Sequence, residues 1–202
     1  MTSQVSLIPL DVVRRISSFG AWVGGLLMLA VAFLVSAEVI LRSLFSYSLA
    51  AGSEISGYVL AVGLAWSLSF ALVHRAHVRV DAAIRLLPSK VVAWIDLIAI
   101  AALCWYAALL VIHGSEVFYQ SWSRGAKAMT PLLTPMWIPQ GLWVAGLIVF
   151  LVSCVVFLAY GFWFVATGRL REARALIGVV TIEEEAGGEI EEAKRMLEGS
   201  RP

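Results

Sequence analysis

Four long apolar stretches dominate this chain of 202 residues, and they dictate what it can fold into. Ile16 to Ala37 is 22 residues without a charged side chain, and Ile55 to Val73 is 19. Val91 to Tyr119 is apolar apart from Asp96, His113 and Glu116, and Thr130 to Gly168 carries no charge at all. A bilayer core of about 30 Å takes roughly 20 helical residues, so each stretch predicts one transmembrane helix. The expected spans are 16–41, 54–74, 91–119 and 136–165. The last two are long enough to tilt or protrude.

Composition agrees. Hydrophobic residues make up 60% of the chain and charged residues only 14%, where soluble proteins carry about 45–50% and about 25%. A formal charge of +1 offers no basic stripe for nucleic acid. Two cysteines are too few for a disulfide framework or a four-cysteine zinc site. The expected class is an all-α integral membrane protein, with a 1–15 N-terminus, a four-helix domain over 16–165 and a charged 166–202 tail. The first apolar run is too long for a cleavable signal, whose core is usually about 7–15 residues.

Lysine and arginine placement orients the chain. Arg14, Arg15, Arg75, Arg79, Arg85, Lys90, Arg169, Arg171 and Arg174 fall on one side, and only Arg42, Arg124 and Lys127 on the other. The expectation is that both termini are cytoplasmic and the protein lies in the inner membrane. The tail holds eight of the fourteen acids and reads as a solvated, partly helical extension.

No catalytic apparatus is visible. Nucleotide loops, nucleophile elbows and zincin motifs are missing, so the chain is not read as an enzyme. Glu38 lies 19 residues beyond Phe19, roughly 28 Å along a helix, near the far interface. Arg42 follows at i,i+4 and can pair with it. Asp96 falls near the opposite interface, and His113 and Glu116 near the outer one, so no acid sits at mid-membrane as a proton relay requires. His74 and His77 are at the other depth from His113, which argues against bis-histidine haem. Cys104 and Cys154 read as buried thiols. No cofactor is expected.

Packing signals are stronger. Ser53, Gly57, Ala61, Ala65 and Ser69 recur every four residues and form a small-residue seam suited to close helix approach. Most of the eight tryptophans fall near predicted helix ends, as interfacial belts do. Trp66 and Trp105 lie deeper and read as packing residues. Between helices two and three, Asp81 can cap a short helix stopped by Pro88, with Val80, Ile84 and Leu87 offering an apolar face to the membrane surface or a neighbour.

That segment carries a resemblance. His77, Val78, Arg79, Val80, Asp81, Leu87 and Pro88, preceded by Glu38, Val39, Arg42, Phe45, Glu54, Ile55, Ser56, Tyr58, Ala71 and Arg75, resemble the small membrane subunit of tripartite ATP-independent periplasmic (TRAP) transporters, the DctQ-like family. Pro135, Trp137, Ile138 and Pro139 before helix four fit as well. The likeness runs over roughly 16–165. Ala51 and Ser53 depart from it where many relatives have Trp and a first acid, leaving Glu54 alone to carry that pair's role. The acidic tail is outside the pattern.

The resemblance implies a subunit of a secondary transporter in the inner membrane. Its partners would be a large multi-helix permease, a periplasmic solute-binding protein and membrane lipid. Uptake of an organic acid or similar solute would be driven by an ion gradient, with the solute and ion sites on the large subunit. The residues above fit a scaffold better than a carrier. The seam (Gly57, Ala61, Ala65, Ser69), the charges near the outer interface (Glu38, Arg42, Glu54, Arg124, Lys127) and the motif residues His77, Arg79 and Asp81 are the candidate partner contacts. A four-helix anchor or assembly subunit of a respiratory or redox complex is the alternative that composition leaves open.

Overall fold

The computed structural model describes residues 8–45, 52–74, 88–169 and 176. It contains four helices: α1 (Ile8–Phe45), α2 (Gly52–Val73), α3 (Ser89–Arg124) and α4 (Trp137–Ala166). All four are long and apolar enough to cross a membrane. The first three exceed the apolar runs because a run marks only the stretch that meets hydrocarbon, whereas backbone hydrogen bonding continues through polar flanks; α4 is shorter than its run, whose first residues form the loop before it. α1 begins eight residues before Ile16, and α3 continues through Arg124. At 36 residues α3 is roughly 54 Å long, well beyond a bilayer core.

The helices form an open layer. α1 packs on α2, α2 on α4 and α4 on α3, with α1 touching α4 only slightly. The edges of the layer are therefore α1 and α3, and chain order differs from spatial order. α2 and α4 run parallel at its centre. For description, the upper end is the one holding the starts of α2 and α4.

Close backbone approach explains the central contacts. At the α1–α2 crossing, a Cβ on Gly24 would lie 3.4 Å from the Gly63 Cα, so the two backbones touch. Between α2 and α4, Trp66 lies over both Gly20 and Gly146: added Cβ atoms would stand 2.8 and 2.7 Å from its ring. Its indole N–H donates to the Leu142 carbonyl at 3.1 Å. Lower down, the Ser153 hydroxyl donates to Val149 O (2.8 Å) and meets Ser69 Oγ at 3.4 Å. Without an aqueous driving force, such small-residue contact and hydrogen bonding hold helices together.

The main buried cluster sits toward the lower end, where all four helices converge. It joins Leu10 and Val13 of α1, Leu72 of α2, Leu97, Ile100 and Ala107 of α3, and Phe150, Cys154 and Phe157 of α4. Ser17 and Asp96 are also buried there, each 1% exposed. Outside the cluster the surface is apolar, as lipid requires: Phe19, Trp22, Leu26, Leu29 and Phe33 of α1 are exposed in a stripe.

α3 ends on a left-handed Gly125 (φ 58°). Its N–H reaches Trp122 O, and Ala126 N–H reaches Ser121 O, the paired bonds of a Schellman stop. The loop beyond is zipped by Ala128 N–H to Thr134 O and Met136 N–H to Ala126 O, with a bridge between Lys127 and Pro135. The short helix expected over 81–88, and the charged tail apart from its first residues and Leu176, lie outside the described residues.

Candidate partner-binding surfaces

The upper end gathers most of the charges singled out in the sequence. Arg42 is in the last turn of α1, Glu54 in the first turn of α2 and Arg124 in the last turn of α3, with Lys127 in the loop. Arg42, Arg124 and Lys127 are exposed, whereas Glu38 and Glu54 are half-buried. The two acids turn inward.

Glu38 Oε2 accepts the backbone N–H of Gly52 at 2.9 Å, capping α2 across the α1–α2 connection, a contact that its i,i+4 spacing to Arg42 does not suggest. A carboxylate at a helix N-terminus satisfies an orphan donor and meets the positive end of the helix dipole. An added Cβ at Gly52 would collide with the Glu38 carboxylate, so a side chain there would displace the cap.

Glu54 joins α2 to the α3–α4 loop. The Tyr58 hydroxyl, one turn on, donates to Glu54 Oε1 at 2.8 Å and lies 3.5 Å from Met136 Sδ. The Thr130 and Thr134 hydroxyls also face the carboxylate, Thr130 without a well-aligned hydrogen bond. Beside them Trp122 and Trp137 meet edge to face with centroids 4.8 Å apart, and Phe118 leans on Trp122. The loop is thus held at its base by polar and aromatic contacts. Its tip exposes Met129, Leu132 and Leu133, the last in a left-handed conformation (φ 48°).

The small-residue seam of α2 divides. Ala65 and Ser69 are buried against α4. Ser53, Gly57 and Ala61 are exposed, and a Cβ on Gly57 would meet nothing within 4 Å. Leu60 and Leu64 flank this upper half and are exposed too. Sequence periodicity cannot make this division, because it depends on where α4 crosses. The Gly20-x-x-x-Gly24 spacing of α1 was the overlooked packing signal.

Two tryptophans grouped by depth part company as well. Trp66 is the central packing residue described above, while Trp105 is 70% exposed on the outer face of α3. His77, Arg79 and Asp81 lie outside the described residues. His74 stacks on Phe70 and bonds its carbonyl at 3.0 Å, and His113 meets Glu116 at 3.2 Å. Among the described residues no three His, Cys, Asp or Glu side chains come together as a metal-binding group.

A family model described as "Tripartite ATP-independent periplasmic transporters, DctQ component" matches residues 31–164, from the middle of α1 to the last turn of α4. The chain belongs to the DctQ family. It is accordingly a small membrane subunit of a TRAP transporter, a multi-pass membrane protein. Comparison with curated proteins and with solved structures gives no match. The match includes every surface described at the upper end. The first turns of α1, with Leu10, Val13 and Ser17, lie before it.

Proposed function

We propose that this DctQ component acts as a fixed scaffold for the large permease subunit during ion-gradient-driven uptake of an organic solute delivered by a periplasmic binding protein. The observation that carries this reading is the open layer: four helices in a row, with the upper seam of α2 left uncovered among the described residues. A layer exposes more flank than a square bundle of the same helices, which suits a subunit that widens a larger assembly. Ser53, Gly57 and Ala61 would admit a helix of the large subunit to close backbone distance, with Leu60 and Leu64 packing at its sides.

The polar inventory supports scaffold over carrier. Among the described residues the fully buried polar side chains are Ser17, Ser69, Asp96 and Ser153. The one acid among them is in the second turn of α3, not at the centre of the span. Broken helices that cradle solute in secondary transporters have no counterpart among the described residues.

Basic-residue placement supports cytoplasmic termini in the inner membrane, with the upper end periplasmic. There Arg42, Arg124 and Lys127 would meet the binding protein. Glu38 and Glu54, turned inward, would shape that surface from behind. Below, the motif residues His77, Arg79 and Asp81 would serve on the cytoplasmic side, against the large subunit or lipid headgroups.

Reconstitution tests the proposal. Proteoliposomes holding the large permease, supplied with loaded binding protein, should take up solute only when this chain is present. Equal uptake without it would contradict a necessary scaffold.

A further inference from the structure

Trp66 and Trp105 both lie deep in the apolar layer, and only one has its N–H satisfied. Trp66 donates to the Leu142 carbonyl. Trp105, on the outer face of α3, is 70% exposed and makes no hydrogen bond among the described residues. Its neighbour Tyr106, 57% exposed, makes none there either.

Depth turns this into an exception. Gly114 of α3 stands against Trp143 and Val144, and Gly141 of α4 stands against Phe118. That antiparallel register puts Trp105 level with Ser153, midway between Trp143 and Trp163 of α4. Each is ten residues from Ser153, or about 15 Å, half of a bilayer core of about 30 Å. On α3 itself the exposed His113–Glu116 pair begins eight residues higher, about 12 Å away. An indole has no long flexible stem with which to reach the interface, as Lys and Arg do. Lipid tails carry no acceptor, so the N–H facing them is an unsatisfied donor, and in hydrocarbon such a group needs a protein partner.

The surrounding surface admits a helix. Ala101 and Ala102, one turn below Trp105, are exposed and leave a notch where another backbone can come close. Ile98 and Ile112, seven residues to either side, are exposed on the same line and flank the notch. α3 is an edge of the layer, and its described contacts with the other helices run through α4.

We propose that this face of α3, centred on Trp105, is a second docking surface for the large permease. A transmembrane helix of that subunit packs on Ala101 and Ala102 and places an acceptor, a backbone carbonyl or a hydroxyl, against the indole N–H at mid-membrane. The inference rests on the scaffold reading and adds a contact separate from the upper seam of α2. It also assigns the two faces different chemistry: the seam offers close approach alone, the α3 face close approach and a hydrogen-bond donor.

The test is photo-crosslinking in membranes that hold the full chain together with the large permease. p-Benzoylphenylalanine in place of Ile98 or Ile112 leaves Trp105 intact and should give a chain–permease adduct. Adducts only between two copies of this chain, or with no protein at all, would overturn the α3 surface. If the permease still co-purified in that case, the scaffold reading would stand; a wild-type chain that retained no permease would overturn both. Trp105→Phe keeps a ring and removes the N–H. It should lower the permease retained per chain about threefold or more, the scale of an interhelical hydrogen bond in a membrane, while the unfolding midpoint of the isolated chain stays at the wild-type value. Wild-type retention by Trp105→Phe would overturn the hydrogen bond, and a lowered midpoint would make Trp105 a residue of the chain's own fold instead.

Discussion

Glu38 and Gly52 meet across the α1–α2 connection, the carboxylate of one accepting the first backbone N–H of the helix that the other begins. The contact fixes where α2 starts relative to α1, and in this geometry a Cβ at residue 52 would push the carboxylate away. Replacing Glu38 by Ala should cost about 1 kcal/mol, the usual worth of a lost helix cap. Gly52→Ala should destabilise the chain similarly by displacing the carboxylate. Reversible unfolding of the purified chain in mixed micelles, read by circular dichroism, checks both. A double variant that costs no more than either single one would show that they report the same contact.

Trp66 lies over Gly20 and Gly146 and ties α1, α2 and α4 together. Gly146→Val would force side-chain atoms into the indole and should cost about 1–3 kcal/mol, as overpacking does. Trp66→Phe, which keeps an aromatic ring but loses the indole N–H bonded to Leu142 O and part of the ring volume, should cost at least about 0.5–1.5 kcal/mol. The same unfolding assay distinguishes the two. Equal stability for Gly146→Val and wild type would mean that the α2–α4 approach is looser than described.

The divided seam separates folding from assembly. Ala65→Leu should destabilise the isolated chain, because Ala65 is 2% exposed against α4. Ala61→Leu should leave the isolated chain within about 0.5 kcal/mol of wild type while weakening capture of the large permease. Pull-down yield measured beside unfolding gives both numbers. An Ala61→Leu chain that captures the permease normally would remove the upper seam from the interface.

Arg124 and Lys127 are exposed at the upper end. Reversing both charges should raise the apparent KM for loaded binding protein severalfold with little change in maximal uptake, since rim charges act mainly on association rate. The effect should shrink at high ionic strength. Unaltered transport would leave these charges as mere markers of the water interface.

Much of the architecture was legible in the sequence, for a physical reason. Hydrocarbon leaves no latitude over charge or unpaired backbone, so uncharged runs of 19 residues or more must be helices. What the runs conceal is which helix meets which. The parallel pairing of α2 with α4, the use of Ala65 but not Ala61, and the exposure of Trp105 all follow from crossing points that glycines set. Glu38 shows the same limit: local spacing points to its i,i+4 neighbour Arg42 and gives no sign of the bond to the backbone N–H of Gly52, fourteen residues on. Local spacing cannot weigh an orphan donor that only the folded hairpin brings near. The inward turn of Glu54 likewise depends on the α3–α4 loop, which is far from it in sequence.

The most direct test of the central claim is to tag this chain in its native host, solubilise the membranes gently and identify by mass spectrometry what co-purifies. A large polytopic permease in near-equal amount is the predicted result. A haem- or flavin-bearing partner, or the chain alone, would contradict the scaffold account.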